Sequence, residues 1–272
     1  MSCRQLSTVK CFKIMDFITN NIAYIILAGA MAIASGVLGS FAVMRKMALA
    51  SDPMSHIALP GLGMAVVIGI NPMLGAGVAL LIGAIIVWAL ERKTGISTEV
   101  MIGVTFSLAL AIGSIIAVEE DLIDNLLGNY KSTTGSELII GIAVSAMIVI
   151  FLLAKKDELI LTILSPELAK TSGLNTNRIN LYFLITFVIT ILVGLKYLGV
   201  LLMGSLIIIP AAVGKQLGRS FKSMISISVA VSIASVIAGI YISGRFGWES
   251  GPSIIIAAAT LFFLSIFVRK LE

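Results

Sequence analysis

The sequence predicts an all-α, polytopic membrane protein with about eight or nine transmembrane helices, and three observations carry that prediction. Of the 272 residues, 58% are hydrophobic and 12% charged, at a mean hydropathy of +1.09, whereas soluble domains carry charge at roughly a quarter of positions. Uncharged apolar runs occupy 22–44, 138–154 and 225–243, and a helix of roughly 20 residues spans the hydrocarbon core. Basic pairs close such runs, at Arg45-Lys46, Arg92-Lys93, Lys155-Lys156 and Arg269-Lys270.

The elements follow in order from the placement of charge. The first span covers 22–44 and stops at Arg45-Lys46. The second holds Asp52 and His56 and runs to about residue 70, before the turn signal Asn71-Pro72. A third, at 73–90, ends at Glu91-Arg92-Lys93. A fourth runs from a Ser97/Thr98 cap to about residue 118, ahead of the acidic loop Glu119-Glu120-Asp121-Leu122-Ile123-Asp124. After Gly128-Asn129 a fifth span occupies 138–154, and Lys155-Lys156 open the longest polar connection, 155–180. The remaining spans are expected at 181–195, at 198–213 with Pro210 as a kink, at 223–243 and at 253–268. The domain reading is therefore a tail at 1–20 and a single transmembrane domain at 21–270.

Placing Arg45-Lys46, Arg92-Lys93, Lys155-Lys156, the Lys215, Arg219 and Lys222 group and Arg269-Lys270 on one side takes about nine crossings, N-terminus out and C-terminus in. Arg4, Lys10 and Lys13 then lie outside, against the rule. Either that tail is not native, with Met15 as the start, or one segment is re-entrant. No small-residue cleavage site follows a short apolar core there, so no signal peptide is evident.

Composition also excludes function classes. A net charge of +5 and a pI near 9.3 would suit nucleic acid only if the basic side chains formed a stripe or patch. They stand in short clusters between apolar runs, so no nucleic-acid partner is expected and membrane lipid is the surrounding medium. Cys3 and Cys11, both in the tail, are too few and too local for a disulfide framework or a cysteine-rich metal site. Small residues recur within the spans, as at Gly29, Gly36 and Gly39, Gly61 and Gly63, and Gly75 and Gly77, and they allow close helix approach in lipid. No fixed-period repeat is visible.

The stretch Ser51-Asp52-Pro53-Met54-Ser55-His56-Ile57-Ala58-Leu59-Pro60-Gly61 contains the sole histidine of the chain. With Pro53 as first helical residue, Asp52 becomes the N-cap and His56 follows four positions on, over the same face. Two readings are open. Asp52 merely caps a helix and His56 is a satisfied buried histidine, or carboxylate and imidazole form half of a site for a divalent transition metal. An ionisable residue inside a span costs free energy and is a functional candidate by default.

The polar connection contains Ser165-Pro166-Glu167-Leu168-Ala169-Lys170-Thr171-Ser172-Gly173, with Ser at the N-cap, Pro at the first helical position, Glu in the first turn and Gly just past the end. This predicts a short, well-capped helix, either a structural loop helix or a docking helix for a cytoplasmic partner.

These stretches, taken with others along the chain, carry a resemblance. They are Gly36-Val37-Leu38-Gly39-Ser40-Phe41-Ala42-Val43-Met44-Arg45-Lys46-Met47-Ala48, the Asp52-to-Gly61 segment, Glu99-Val100-Met101-Ile102-Gly103-Val104-Thr105-Phe106-Ser107, Leu127-Gly128-Asn129, Glu167-Leu168-Ala169 with Gly173-Leu174, and Leu206-Ile207-Ile208-Ile209-Pro210-Ala211-Ala212. In order and spacing the chain resembles the permease subunits of the ABC-3 family, which move zinc, manganese or iron. The resemblance implies a type II-like ABC importer permease bundle in the cell (inner) membrane, working as a homodimer or as a heterodimer with a similar permease. It implies a cytoplasmic ABC ATPase dimer bound through Pro166, Glu167, Leu168, Ala169 and Gly173, and metal delivered by an external metal-binding protein. It implies too that Asp52 and His56 contact the transported divalent ion, with no permanently bound cofactor and with ATP on the partner subunit. One departure is Trp248-Glu249-Ser250-Gly251-Pro252-Ser253, standing where the family commonly has an aspartate, a proline and a glycine-containing turn.

The chain itself holds no phosphate loop: Gly214-Lys215-Gln216 is the nearest string and lacks the hydroxyl that binds Mg²⁺. It is therefore not expected to be an enzyme. A permease for iron chelates or cobalamin is the alternative within transport, but it would want a wider cavity and leaves Asp52 and His56 unexplained. An intramembrane hydrolase is the alternative of another class. It lacks the His-Glu-x-x-His zinc motif, and nothing in the sequence supports Ser55 or Ser107 as a nucleophile near His56.

Overall fold

A computed structural model describes residues 22–116 and 135–270. The tail with Cys3, Cys11 and Met15, the acidic loop 119–124 and Leu127-Gly128-Asn129 lie outside the described residues.

Among the described residues every regular element is a helix. They are α1 (Ile22–Met44), a 3₁₀ turn (Ala48–Ala50), α2 (Ser51–His56), α3 (Leu59–Ile68), α4 (Pro72–Thr94), α5 (Thr98–Ile116), α6 (Gly135–Ala154), α7 (Lys156–Leu164), α8 (Pro166–Thr171), α9 (Thr176–Leu198), α10 (Val200–Leu217), α11 (Phe221–Phe246) and α12 (Ser250–Lys270). Seven of these, α1, α4, α5, α6, α9, α11 and α12, are long and apolar enough to cross a membrane.

Local chemistry sets the ends. The Asn71 side chain accepts from the Met73 N–H at 2.9 Å with Pro72 as the first helical residue, and α4 stops at Gly95. The Asn175 side chain accepts from the Arg178 N–H at 3.2 Å, so α9 starts at Thr176 rather than at the expected residue 181. The expected start at 198 moves to Val200, because Gly199 at φ +85° separates α9 from α10. Pro210 lies inside α10, which continues to Leu217.

The expected second span is two short helices. The N–H groups of Ile57 and Ala58 bond back to Pro53, Met54 and Ser55, and α3 restarts with Pro60 in its first turn. Pro60 has no N–H to give the carbonyl of His56 four residues earlier, which weakens the helix at this point, whereas α10 carries Pro210 without a break.

α1 and α9 are the most buried of the long helices. Leu27, Met31, Leu38 and Phe41 of α1 and Phe183 and Phe187 of α9 are fully buried in a core also built by α6, α10 and α11. Hydroxyls within the spans turn back on their own helices. Ser40 donates to Gly36 O, Ser145 to Gly141 O, Thr190 to Thr186 O and Ser228 to Met224 O, all at 2.7–2.8 Å, which satisfies groups that lipid cannot. Close approach uses glycine where it must. A Cβ on Gly61 would lie 2.2 Å from the Gly75 carbonyl oxygen, and one on Gly75 would lie 2.1 Å from that of Gly61, so α3 and α4 touch backbone to backbone.

The basic clusters meet at one end of the bundle. Arg45 contacts Asn180, Trp88 Nε1 donates to Asn177 O at 2.9 Å, Phe41 packs edge-on against Phe221, and Ser265 Oγ donates to the Gln216 side chain. At the other end Lys196 pairs with Glu137 at 2.8 Å.

Candidate functional site

α2 is only six residues long, yet it sits deep in the bundle. Gly204 of α10 packs against it, and the preceding residue, Met203, accepts from the hydroxyl of Ser35 in the middle third of α1. The expectation that Asp52 is the N-cap is corrected. The 3₁₀ turn at Ala48–Ala50 runs straight into the helix, the cap residue is Ala50 without a side-chain bond, and Asp52 is the second helical residue. The carboxylate is thereby relieved of capping. The four-residue spacing to His56 survives, and both side chains lie on one face.

Asp52 Oδ1 and His56 Nε2 are 3.9 Å apart, with the side chains 57% and 22% exposed. That separation is too long for a direct hydrogen bond. The imidazole is flanked by Phe106 of α5, ring centroids 5.8 Å apart and planes at 50°. Ser51 Oγ donates to Gly204 O at 3.3 Å, fastening α2 to α10. Phe106 stood within a matching stretch and Gly204 just before one, but no spacing rule pointed to either as a neighbour of the pair.

Among the described residues no group of three or more His, Cys, Asp or Glu side chains comes together, so no third residue of these types joins Asp52 and His56. Neither serine offered as a nucleophile serves His56. Ser55 Oγ donates to Asp52 O at 2.7 Å and Ser107 Oγ to Gly103 O at 3.0 Å, each back to its own helix. A cavity of about 370 Å³ lies between α3, α4 and α5, lined by Pro60, Met64, Val78, Ile82, Leu108 and Ile112 among others, with no carboxylate or imidazole in its wall.

The second predicted region is helical over most of its length, α7 preceding α8. Gly173, at φ +79°, ends α8 in a Schellman turn: its N–H reaches Lys170 O at 3.1 Å and the Leu174 N–H reaches Ala169 O at 3.0 Å. Ser165 is the N-cap residue by position but makes no side-chain cap bond. Pro166, Glu167 and Gly173 are exposed and Leu168 is 58% exposed, whereas Ala169 is 0% exposed and faces inward. At the divergent turn after α11, Gly247 lies at φ +72° and Ser243 Oγ donates to Trp248 O at 2.7 Å.

A broken pair of short helices carrying Asp52 and His56, within a bundle of long apolar ones, is accompanied by a match to the ABC 3 transport family over residues 16–269. The chain belongs to that family. It is similar to the high-affinity zinc uptake system membrane protein ZnuB of Haemophilus influenzae, 34% identical over 239 residues that cover 86% of this chain and 91% of that one. It is similar also to the manganese import system permease protein ScaB of Streptococcus gordonii, 29% identical over 256 residues, covering 93% and 91%. Among solved structures, a chain of PsaBC from Streptococcus pneumoniae in complex with Fab superimposes with a TM-score of 0.81 at 27% identity, over 95% of this chain and 96% of that one. As a member of the ABC 3 transport family with seven membrane-length helices among its described residues, the chain is a multi-pass membrane protein.

Proposed function

We propose that this chain is the permease subunit of an ATP-driven importer for a divalent transition metal, zinc, manganese or iron, and that Asp52 and His56 contact the ion in transit. The observation that carries the site is the 3.9 Å between Asp52 Oδ1 and His56 Nε2. Two bonds of about 2.1 Å each reach across up to roughly 4.2 Å, so one ion can touch both atoms without moving the backbone. Ser51, Met54 and Ser55 of α2 are buried, while the Asp52 side chain is exposed and that of His56 partly so; a two-fold partner would present the same pair, giving two nitrogens and two carboxylates. Such a set suits Zn²⁺, Fe²⁺ or Mn²⁺, and geometry selects among them. A closed structural zinc site would call for four strong ligands, usually with cysteine, whereas incomplete ligation suits an ion that must leave.

The remaining parts of the reading follow from the ends of the bundle. The basic end is the cytoplasmic one by the distribution of Lys and Arg, in a cell (inner) membrane. There the exposed face of α8, with Pro166, Glu167 and Leu168, and Gly173 just past its end, receives a separate ATPase dimer that holds the ATP. An external metal-binding protein delivers the ion at the opposite end. The permease domain is 21–270, with 155–180 as its coupling loop.

The test is metal uptake by Asp52→Asn and His56→Ala proteins that insert and bind the ATPase as wild type does. Uptake should fall by at least about a hundredfold in each, since a misplaced or missing ligand costs on that order. Uptake near the wild-type rate in both would remove the pair from the pathway.

A further inference from the structure

Arg45 is the first residue after α1, where its charge at first reports only topology. A marker of topology keeps its guanidinium in water. Arg45 is half-buried, and its head group is committed to a neighbouring helix. Nη2 donates to Asn180 Oδ1, and Cζ lies 4.6 Å from the centre of the Phe183 ring, both in α9. Burial pushes the guanidinium down to about 10, against the upward pull of Glu91 at the end of α4, so it remains charged at neutral pH. A planar fork that both stacks on a ring and donates to an amide fixes relative position more tightly than an ammonium does.

The two ends of this contact lead to different places. On the Arg45 side, Lys46 takes a left-handed conformation at φ +59°, the Met47 N–H returns to Ala42 O, and the 3₁₀ turn passes directly into α2 with Asp52 and His56. On the other side, Asn180 and Phe183 stand in the first two turns of α9, which is joined to α8 only through the Schellman turn and the Asn175 cap. A displacement of α8 that carries the start of α9 with it must therefore drag Arg45 or break its contacts.

We propose that Arg45 is a positioning residue for transport: through Asn180 and Phe183 it ties the start of α9, and so the ATPase-facing α8, to the segment that holds the metal pair. This rests on the reading above that α8 meets the ATPase and that Asp52 and His56 meet the ion. Arg45 touches neither. It sets where α2 stands when α9 moves.

The experiment uses the assembled transporter in proteoliposomes, with Mn²⁺ or Zn²⁺ presented by the binding protein, and compares Arg45→Lys, Asn180→Ala and Asn180→Asp. Arg45→Lys keeps the charge and loses the fork, Asn180→Ala removes the acceptor, and Asn180→Asp retains one. The first two should retain the ATPase and hydrolyse ATP within about twofold of wild type while uptake falls about tenfold, within the range of coupling lost at a single linking residue. Asn180→Asp should transport near the wild-type rate. Near-normal uptake in Arg45→Lys and Asn180→Ala would overturn the proposal, as would uptake and hydrolysis falling together with protein yield, the mark of a purely structural role. Asp52→Asn measured in parallel separates the two readings. If it transports normally, the metal-pair reading fails whatever Arg45 does; if it stops transport while Arg45→Lys does not, only the link fails.

Discussion

Gly204 lies against Asp52: a methyl group built at position 204 would stand 3.5 Å from the aspartate Cα and 3.5 Å from its Oδ1. That is ordinary contact, so one added carbon fits. Gly204→Ala should therefore transport nearly as wild type. Gly204→Val places further carbons against the carboxylate and should lower uptake by at least about tenfold, because sub-ångström misplacement of a ligand is costly. Uptake assays normalised to inserted protein check both.

If the proposed pair holds the ion, the purified permease should bind Mn²⁺ at least about tenfold more weakly when His56 is replaced by Ala, since half of the N/O donor set is then gone. Equilibrium titration with Mn²⁺, measured without the partner proteins, reads this directly, and unchanged binding would remove His56 from the site.

Leu168 and Ala169 are adjacent in α8 but face opposite ways, 58% and 0% exposed. Leu168→Glu should abolish co-purification of the ATPase and leave the permease as stable as before. Ala169→Leu should instead lower the thermal midpoint of the permease, as overpacking costs about 1–3 kcal/mol. Pull-down and thermal unfolding in detergent distinguish the two effects.

Ser232 Oγ in α11 is buried without a hydrogen-bond partner among the described residues. Its desolvation is uncompensated, so Ser232→Ala should be neutral or stabilising by about 1 kcal/mol. A lowered melting temperature would indicate a partner that the present packing does not show.

Where hydrophobicity and charge alone decide the outcome, the sequence was readable. The 22–44 run is helical throughout and α1 ends at Met44 as expected, and α4 and α11 extend their expected spans by only a few positions at each end. α9 begins ahead of its expected start because Thr176, Asn177 and Arg178 form a polar first turn that hydropathy does not register, although Asn175 caps it. The break at Ile57-Ala58 leaves no mark in hydropathy, because both residues are apolar and continue the run on either side. The face shared by Asp52 and His56 was legible because it depends only on a local spacing of four. Their neighbours Phe106 and Gly204, and the contact of Arg45 with Asn180, arise from helix packing between residues distant in the chain, and periodicity carries no trace of it.

The contact of Gly61 with Gly75 has an evolutionary side. Each position faces the other's carbonyl oxygen, with the methyl of Ala79 or Ala65 close behind, so a substitution at one cannot be relieved by trimming the other. There is no permitted first step. The two glycines form a mutationally locked unit whose alteration requires a helix to shift, and the helix that would shift, α3, adjoins α2 with Asp52 and His56. A lineage selected for import can drift across its lipid-facing leucines and isoleucines while inheriting this pair intact, and random mutagenesis should find alanine excluded at both sites.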